Sequence, residues 1–170
     1  MQKPSDAANW PSKGLILEQT VPAVLAGIVL AFSIIFSAEI IAVFSRNELT
    51  IENLYSAVFD WSAIQTGFLF GVYGFVVGKN GGFIEKIRNT LAMQRFVRYT
   101  LRATVIGFIL TVVCIPLIVT QMRMPPVADY RYYLVAIWAA LFVWAFLAFL
   151  RVAFIFGALI RVRDEEFIPG

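Results

Sequence analysis

The chain alternates between long apolar stretches and shorter polar segments. Four stretches, 21–44, 54–78, 103–120 and 133–160, are almost entirely apolar. A helix that crosses the hydrocarbon core of a bilayer needs roughly 20 mostly apolar residues, and each stretch is about that long or longer. The pattern therefore predicts an all-α integral membrane protein in which four transmembrane helices form a single domain over residues 1–170.

The flanks of the first and fourth stretches indicate how each would sit in a bilayer. Polar residues from Met1 to Thr20 precede the first stretch, and its apolar part is longer than that of a cleavable signal peptide. We therefore expect a permanent anchor. The fourth stretch is longer than a bilayer requires, which predicts either a tilted helix or an extension along the membrane surface.

The overall composition agrees with a membrane protein and excludes several kinds of chemistry. The chain is 60% hydrophobic with a mean hydropathy of +0.79, which is more apolar than a soluble domain of 170 residues. It has no histidine, the usual general base and the commonest metal ligand, and its one cysteine, Cys114, lies in an apolar run. We expect Cys114 to be a small packing residue. We also expect no enzyme activity, no catalytic residue, no metal and no cofactor.

The charges of the connecting segments predict an orientation. Segment 79–102, between the second and third stretches, carries six Lys or Arg residues and one acid, Glu85, whereas the loops after the first and third stretches hold few basic residues. Short basic loops are retained in the cytoplasm. We therefore expect segment 79–102 and both termini to be cytoplasmic, in a bacterial inner membrane.

The same basic segment has the pattern of a short amphipathic helix between the second and third spans. Apolar residues between Phe83 and Leu101 approximate a helical stripe, and Arg88, Arg95 and Arg102 recur every seven residues. Such a helix suits an anionic lipid surface or an acidic cytoplasmic protein, and the alternative is a topology signal without a partner. Nucleic acid is not expected, because the charged run is short and interleaved with apolar residues. The residues assigned to lipid or partner binding are Lys86, Arg88, Arg95, Arg98 and Arg102.

A stripe of small residues runs along the second stretch. Helices in a membrane associate through close backbone approach and polar contacts, so small residues mark the contacts between them. At 100° per residue the members of this stripe share one narrow face, and they predict a tight helix contact, either within one chain or between copies in a homo-oligomer. They are Ala63, Gly67, Gly71, Gly74 and Gly78.

Three ionisable residues inside the apolar stretches, Glu39, Asp60 and Arg151, are candidates for function, because charged groups are costly within a membrane. Glu39 and Asp60 are predicted at matching depth, roughly 8 to 9 Å below the same surface by helix rise. They would form a cation site, a proton relay or an acidic ring, or else serve a structural role through hydrogen bonds or pairing with outer-rim arginines. Arg151 is expected to extend toward inner-leaflet headgroups.

Two classes of function remain after these exclusions. The small-residue stripe, the basic segment and the lack of reactive groups favour an oligomeric assembly or sensor subunit that couples the membrane to a cytoplasmic partner. The intramembrane carboxylates favour the alternative, a small cation channel or ion-coupled transporter that uses Glu39 and Asp60. The architecture is similar to that of small four-helix membrane components of bacterial toxin and anti-phage operons, an analogy of architecture that no motif supports.

Overall fold

The computed structural model describes residues 13–45, 50–78 and 90–161, with side chains from Thr20 onward. These residues form five helices: α1 (Lys13–Ile35), α2 (Ser37–Ser45), α3 (Ile51–Gly78), α4 (Leu91–Val119) and α5 (Tyr130–Ile160). No strand occurs among them. The described part of the chain is therefore all-α.

Three of the helices agree with the predicted spans. α3, α4 and α5 have 28, 29 and 31 residues and are long and apolar enough to cross a membrane. α1 and α2 are long and apolar enough to cross a membrane only when the bent pair is taken as one span. The all-α membrane architecture is thus supported with three candidate spans, and a fourth exists only if that bent pair crosses as one unit.

The first apolar stretch is not the single helix expected over 21–44. α1 ends at Ile35, α2 begins at Ser37, and the helices are bent by 75° relative to each other. The Tyr132 hydroxyl donates a hydrogen bond of 2.5 Å to the Ser33 carbonyl in the last turn of α1. The Ser33 hydroxyl donates to the Val29 carbonyl at 2.8 Å, a contact that also favours bending. A side chain that inserts into the helical hydrogen-bond ladder causes sharp kinks, and apolar periodicity does not reveal it.

Helix α4 begins well before the predicted third span, at Leu91 instead of Ala103. Its first turn is capped by Thr90, whose hydroxyl accepts a hydrogen bond of 3.3 Å from the Met93 amide. The second half of the predicted amphipathic segment is therefore the first part of α4 and not a separate helix. The first half, 79–89, lies outside the described residues.

The end of α4 is a Schellman motif, a C-terminal hydrogen-bond pattern that satisfies the last carbonyls. The Met122 amide donates to the Leu117 carbonyl at 3.2 Å, and the Gln121 amide donates to the Ile118 carbonyl at 3.0 Å. Gln121 has φ of 46°, a left-handed conformation that usually selects glycine. α4 continues through Pro116 to this motif, so the proline lies in its last turn.

α3, α4 and α5 pack against one another, and α1 packs mainly against α5. α3 packs along α4, and α5 packs against both α4 and α1. α3 meets α5 mainly through aromatic rings, with Trp61 against Phe142 and Phe149, and Phe68 against Phe156, at centroid distances of 5.4 to 6.2 Å. This arrangement leaves a groove over α5 between α1 and α4.

Two buried apolar clusters occupy the two halves of the helix bundle. We call the half near the α4–α5 connection the loop end and the half near the start of α4 the basic end. The loop-end cluster comprises Ile51, Tyr55, Val58, Leu110, Cys114, Leu117, Val135, Trp138 and Ala145. The basic-end cluster comprises Leu69, Val72, Val76, Met93, Phe96, Ala103 and Val152. Many large apolar side chains face outward, as lipid contact requires, among them Phe154 with 77% of its surface exposed.

Candidate functional site

A layer of buried polar side chains separates the two apolar clusters. Gln65 is 1% exposed, and its side-chain amide donates a hydrogen bond of 3.2 Å to the Ala145 carbonyl of α5. Within the part of the chain that the structure describes, the Gln65 Oε1 and the Thr66 hydroxyl have no hydrogen-bond partner. A buried polar atom without a partner is unfavourable and is often satisfied by an internal water. The layer therefore contains two oxygens that are able to bind a water molecule or another small polar molecule.

Gly107 of α4 makes the space for this layer. A Cβ atom at this position would lie 2.9 Å from the Thr66 hydroxyl oxygen and 3.3 Å from the Gln65 side-chain nitrogen. The first distance is shorter than a real side chain tolerates. Glycine is therefore required at position 107 for the two α3 side chains to keep their positions.

A second cross-helix contact completes the polar layer on the side of the loop end. The Ser62 hydroxyl of α3 lies 2.9 Å from the Thr111 hydroxyl of α4. Ser62 also lies 2.9 Å from the Phe59 carbonyl, and Thr111 lies 3.0 Å from the Gly107 carbonyl. Each hydroxyl carries one proton, so one of them donates to the other while the second donates to its own helix. The layer thus holds α3 to α4 by polar contacts where lipid supplies no hydrophobic driving force.

The second polar feature is Arg151, toward the basic end of α5. Its guanidinium carbon lies 3.6 Å from the centre of the Tyr99 ring on α4, a close cation–π contact. Arg151 and Arg102 both line a cavity of about 100 Å³ between α1, α4 and α5. The predicted intramembrane arginine is therefore held against another helix.

The two carboxylates predicted at equal depth lie on separate, exposed surfaces. Glu39 is exposed on α2, beyond the 75° bend, so helix rise along a straight first span does not give its depth. Asp60 is exposed on α3. No described residue forms an ion pair with either carboxylate. Two of the arginines expected at the outer rim pair elsewhere, Arg123 with Glu52 at 3.9 Å and Arg131 with Asp129 at 3.0 Å.

The small-residue stripe of α3 lies on the same exposed surface as Asp60. Ala63 is exposed, and around a Cβ built at any of Gly67, Gly71, Gly74 or Gly78 no atom from another described helix lies within 4 Å. α3 packs on α4 through its opposite face instead. The within-chain contact that the stripe allowed is therefore absent from the described structure, and contact between copies remains a prediction.

The basic residues of α4 that the structure describes are exposed. Arg95, Arg98 and Arg102 lie in the first half of α4, and of these three only Arg102 lines the cavity with Arg151. Lys86 and Arg88, assigned to the same lipid or partner surface, lie outside the described residues. The assigned surface is thus represented here by three arginines on one helix.

Sequence reasoning assigned no role to the residues that form the polar layer. Gln65 lies on the side of α3 opposite the glycine stripe, where it is buried against α4 and α5. The signal that could have found the layer is the recurrence of polar or small residues along the third stretch at three or four positions' spacing. These residues are Thr100, Thr104, Gly107 and Thr111, of which all but Thr111 are buried.

Long apolar helices, an apolar outer surface and a polar layer between helices are the features of a small all-α membrane protein. No protein-family model, no curated protein and no solved structure matches the chain.

Proposed function

We propose that the protein is a membrane subunit that assembles with copies of itself through the outer face of α3 and couples the assembly to a cytoplasmic partner through α4. The observation that carries the proposal is the shared position of Asp60 and the glycine stripe on one uncovered face. A carboxylate and a run of small residues on a single face are suited to helix contact and poorly suited to lipid.

Contact between the Asp60 carboxylate and lipid is energetically unfavourable. Asp60 lies nine residues after the start of α3, about 14 Å along the helix, which puts it within the hydrocarbon if the 28-residue helix crosses symmetrically. A charged side chain at the centre of a membrane helix costs about 3 kcal/mol on insertion scales. A second copy covering this face gives the carboxylate polar neighbours and lets the glycine backbones approach closely.

The coupling part of the proposal rests on the continuity of α4. One unbroken helix carries Arg95 and Arg98 near its beginning and Gly107 and Thr111 in the polar layer. A rigid helix moves as a unit, so a displacement at the basic end reaches the contacts with α3 and α5. An acidic partner or surface near these arginines is therefore able to act on the packing inside the membrane.

The exposed position of Asp60 also favours one other function. If copies meet through this face around a symmetry axis, their Asp60 side chains form an acidic ring, the arrangement used by cation channels. Glu39, on α2, is not on that face, so this alternative rests on Asp60.

The experiment is a mass measurement of the purified protein in lipid nanodiscs. Gly71→Leu adds bulk to the stripe and is expected to reduce the assembly to smaller species. Phe70→Leu is the matched control, because Phe70 is exposed at the preceding position of α3 and its replacement by leucine adds no bulk. A monomeric wild-type protein, or equal masses for the two variants, would contradict the proposal.

A further inference from the structure

The groove over α5 contains a cavity with a basic end and an apolar end. Its volume is about 100 Å³. Arg102 and Tyr99 from α4 and Arg151 from α5 form the basic end. The remaining lining residues are apolar and come from all three helices: Pro22, Ala23, Ala103, Ile106, Trp144 and Ala148.

The two arginines converge on this cavity from different helices. The contact with Tyr99 fixes the Arg151 guanidinium at the α4–α5 boundary. Arg102 follows Tyr99 by three positions, which puts it on the same side of α4. Two positive groups directed at one small space form a site for an anion that accepts several hydrogen bonds, such as a phosphate group.

The site faces the lipid and not an enclosed interior. Ala23, Arg102 and Trp144 are lining residues that are exposed on the outer surface, so the cavity opens sideways between α1 and α4. The apolar part of the groove continues along α5 away from the arginines. This shape matches a molecule that joins a phosphate to an acyl chain.

The depth of the arginines agrees with a phospholipid phosphate. Arg102 precedes Gly107 by five residues and Arg151 follows Ala145 by six, so each Cα lies roughly 8 or 9 Å from the polar layer along its helix. That layer is near the middle of the three long helices, and half a hydrocarbon core is about 15 Å. A long arginine side chain spans the remaining few ångströms to the headgroup region.

We propose that this groove is a specific site for an anionic phospholipid, with the phosphate held by Arg102 and Arg151 and one acyl chain lying over Ile106, Trp144 and Ala148. The site does not involve the outer face of α3. It therefore stands or fails independently of the proposed assembly.

The test is a binding titration of the purified full chain with short-chain phosphatidylglycerol, short-chain phosphatidylcholine and inorganic phosphate. Phosphatidylglycerol is expected to bind, and Arg102→Gln and Arg151→Gln should each weaken it at least tenfold, the factor that corresponds to about 1.5 kcal/mol, the lower end for a hydrogen bond to a charged group. Arg161→Gln is the charge-matched control, because Arg161 is exposed at the end of α5 outside the cavity, and it should leave the affinity unchanged.

A steric variant keeps the test decisive if Arg151→Gln does not fold. Ala148→Leu fills the cavity without changing any charge and is expected to reduce phosphatidylglycerol binding at least as much as Arg102→Gln. Equal weakening by Arg161→Gln overturns the proposal in favour of diffuse surface attraction. Binding of inorganic phosphate as tight as that of the lipid, or unchanged binding in Ala148→Leu, overturns the role of the acyl chain and with it the phospholipid site.

Discussion

The side-chain amide of Gln65 donates a hydrogen bond to the backbone carbonyl of Ala145, 3.2 Å away and 80 positions further along the chain. The bond joins α3 to α5 at the level where α4 contributes Gly107, whose missing side chain leaves room for Gln65 and Thr66. Three helices are thus tied together by one buried amide and one glycine. Because lipid does not drive helices together, such contacts set the geometry of the bundle.

Gly107→Ala is predicted to destabilise the protein by about 1 to 3 kcal/mol, the usual effect of overpacking a close contact. The new Cβ would meet the Thr66 hydroxyl oxygen at 2.9 Å. Combining it with Thr66→Ala removes that oxygen and should recover part of the loss, which a double-mutant cycle of unfolding in mixed micelles measures.

Gly27→Ala is the matched control for this cycle, since no described atom outside its own helix backbone lies within 4 Å of a Cβ at position 27. It should leave stability unchanged or raise it slightly through helix propensity. If Gly107→Ala were as stable as the wild type, or if Thr66→Ala gave no recovery, the proposed packing of the polar layer would be wrong.

Asp60→Asn distinguishes the assembly from the channel. The substitution removes the charge and keeps the size, so an assembly subunit should retain its oligomeric mass and show no cation flux in liposomes before or after the change. Glu39→Gln, which neutralises the carboxylate on α2, serves as the comparison. Wild-type flux that is lost in Asp60→Asn and kept in Glu39→Gln would favour the channel instead.

Orientation is tested with single cysteines at two exposed positions, Gln94 near the start of α4 and Ala128 before α5, in a Cys114→Ala background. We predict that an impermeant thiol reagent added to intact cells labels Ala128→Cys and not Gln94→Cys, because the basic end should face the cytoplasm. The reverse pattern of labelling would refute the orientation and the coupling to a cytoplasmic partner.

Tyr132→Phe removes the hydroxyl that bonds to the Ser33 carbonyl. The expected loss is on the order of 1 kcal/mol, the usual size of a hydrogen bond between membrane helices. Tyr133→Phe, at the exposed neighbouring position, should have no such effect. Thermal unfolding of the two variants under identical detergent conditions measures the difference, and equal melting temperatures would mean that the bond does not support the bend.

The sequence predicted the long helices because each of them follows a simple periodic or continuous apolar pattern. The break at Phe36 was not predicted, and the Tyr132 hydroxyl that bonds to the Ser33 carbonyl before it lies nearly a hundred positions away. The start of α4 was misplaced for a related reason, since basic residues interrupt the apolar run there without ending the helix. The hydropathy of a segment depends on its own residues, and it does not show which of its carbonyls accepts a hydrogen bond from a residue far along the chain.

The candidate sites were harder to predict than the helices. Asp60 and the glycines were recognisable as unusual residues, but only the structure assigns their face of α3 to the outside of the chain. Gln65 and Arg151 each contact a residue of another helix. Gln65 donates a hydrogen bond to Ala145, and Arg151 lies over the Tyr99 ring. Single-chain periodicity gives the side of a helix on which a residue lies and not the neighbour that it meets.

The packing of α1 against α5 has a consequence for the order in which the protein is made. α3 and α4 are close in the chain and are able to pair as soon as both have left the ribosome, whereas the main neighbour of α1 is α5, the last of the described helices in chain order. During translation α1 therefore enters the bilayer before α5, the helix that it packs against, has been made. A chain that stops before Tyr132 keeps the α3–α4 hairpin and leaves the first helix without the hydroxyl that holds its bend.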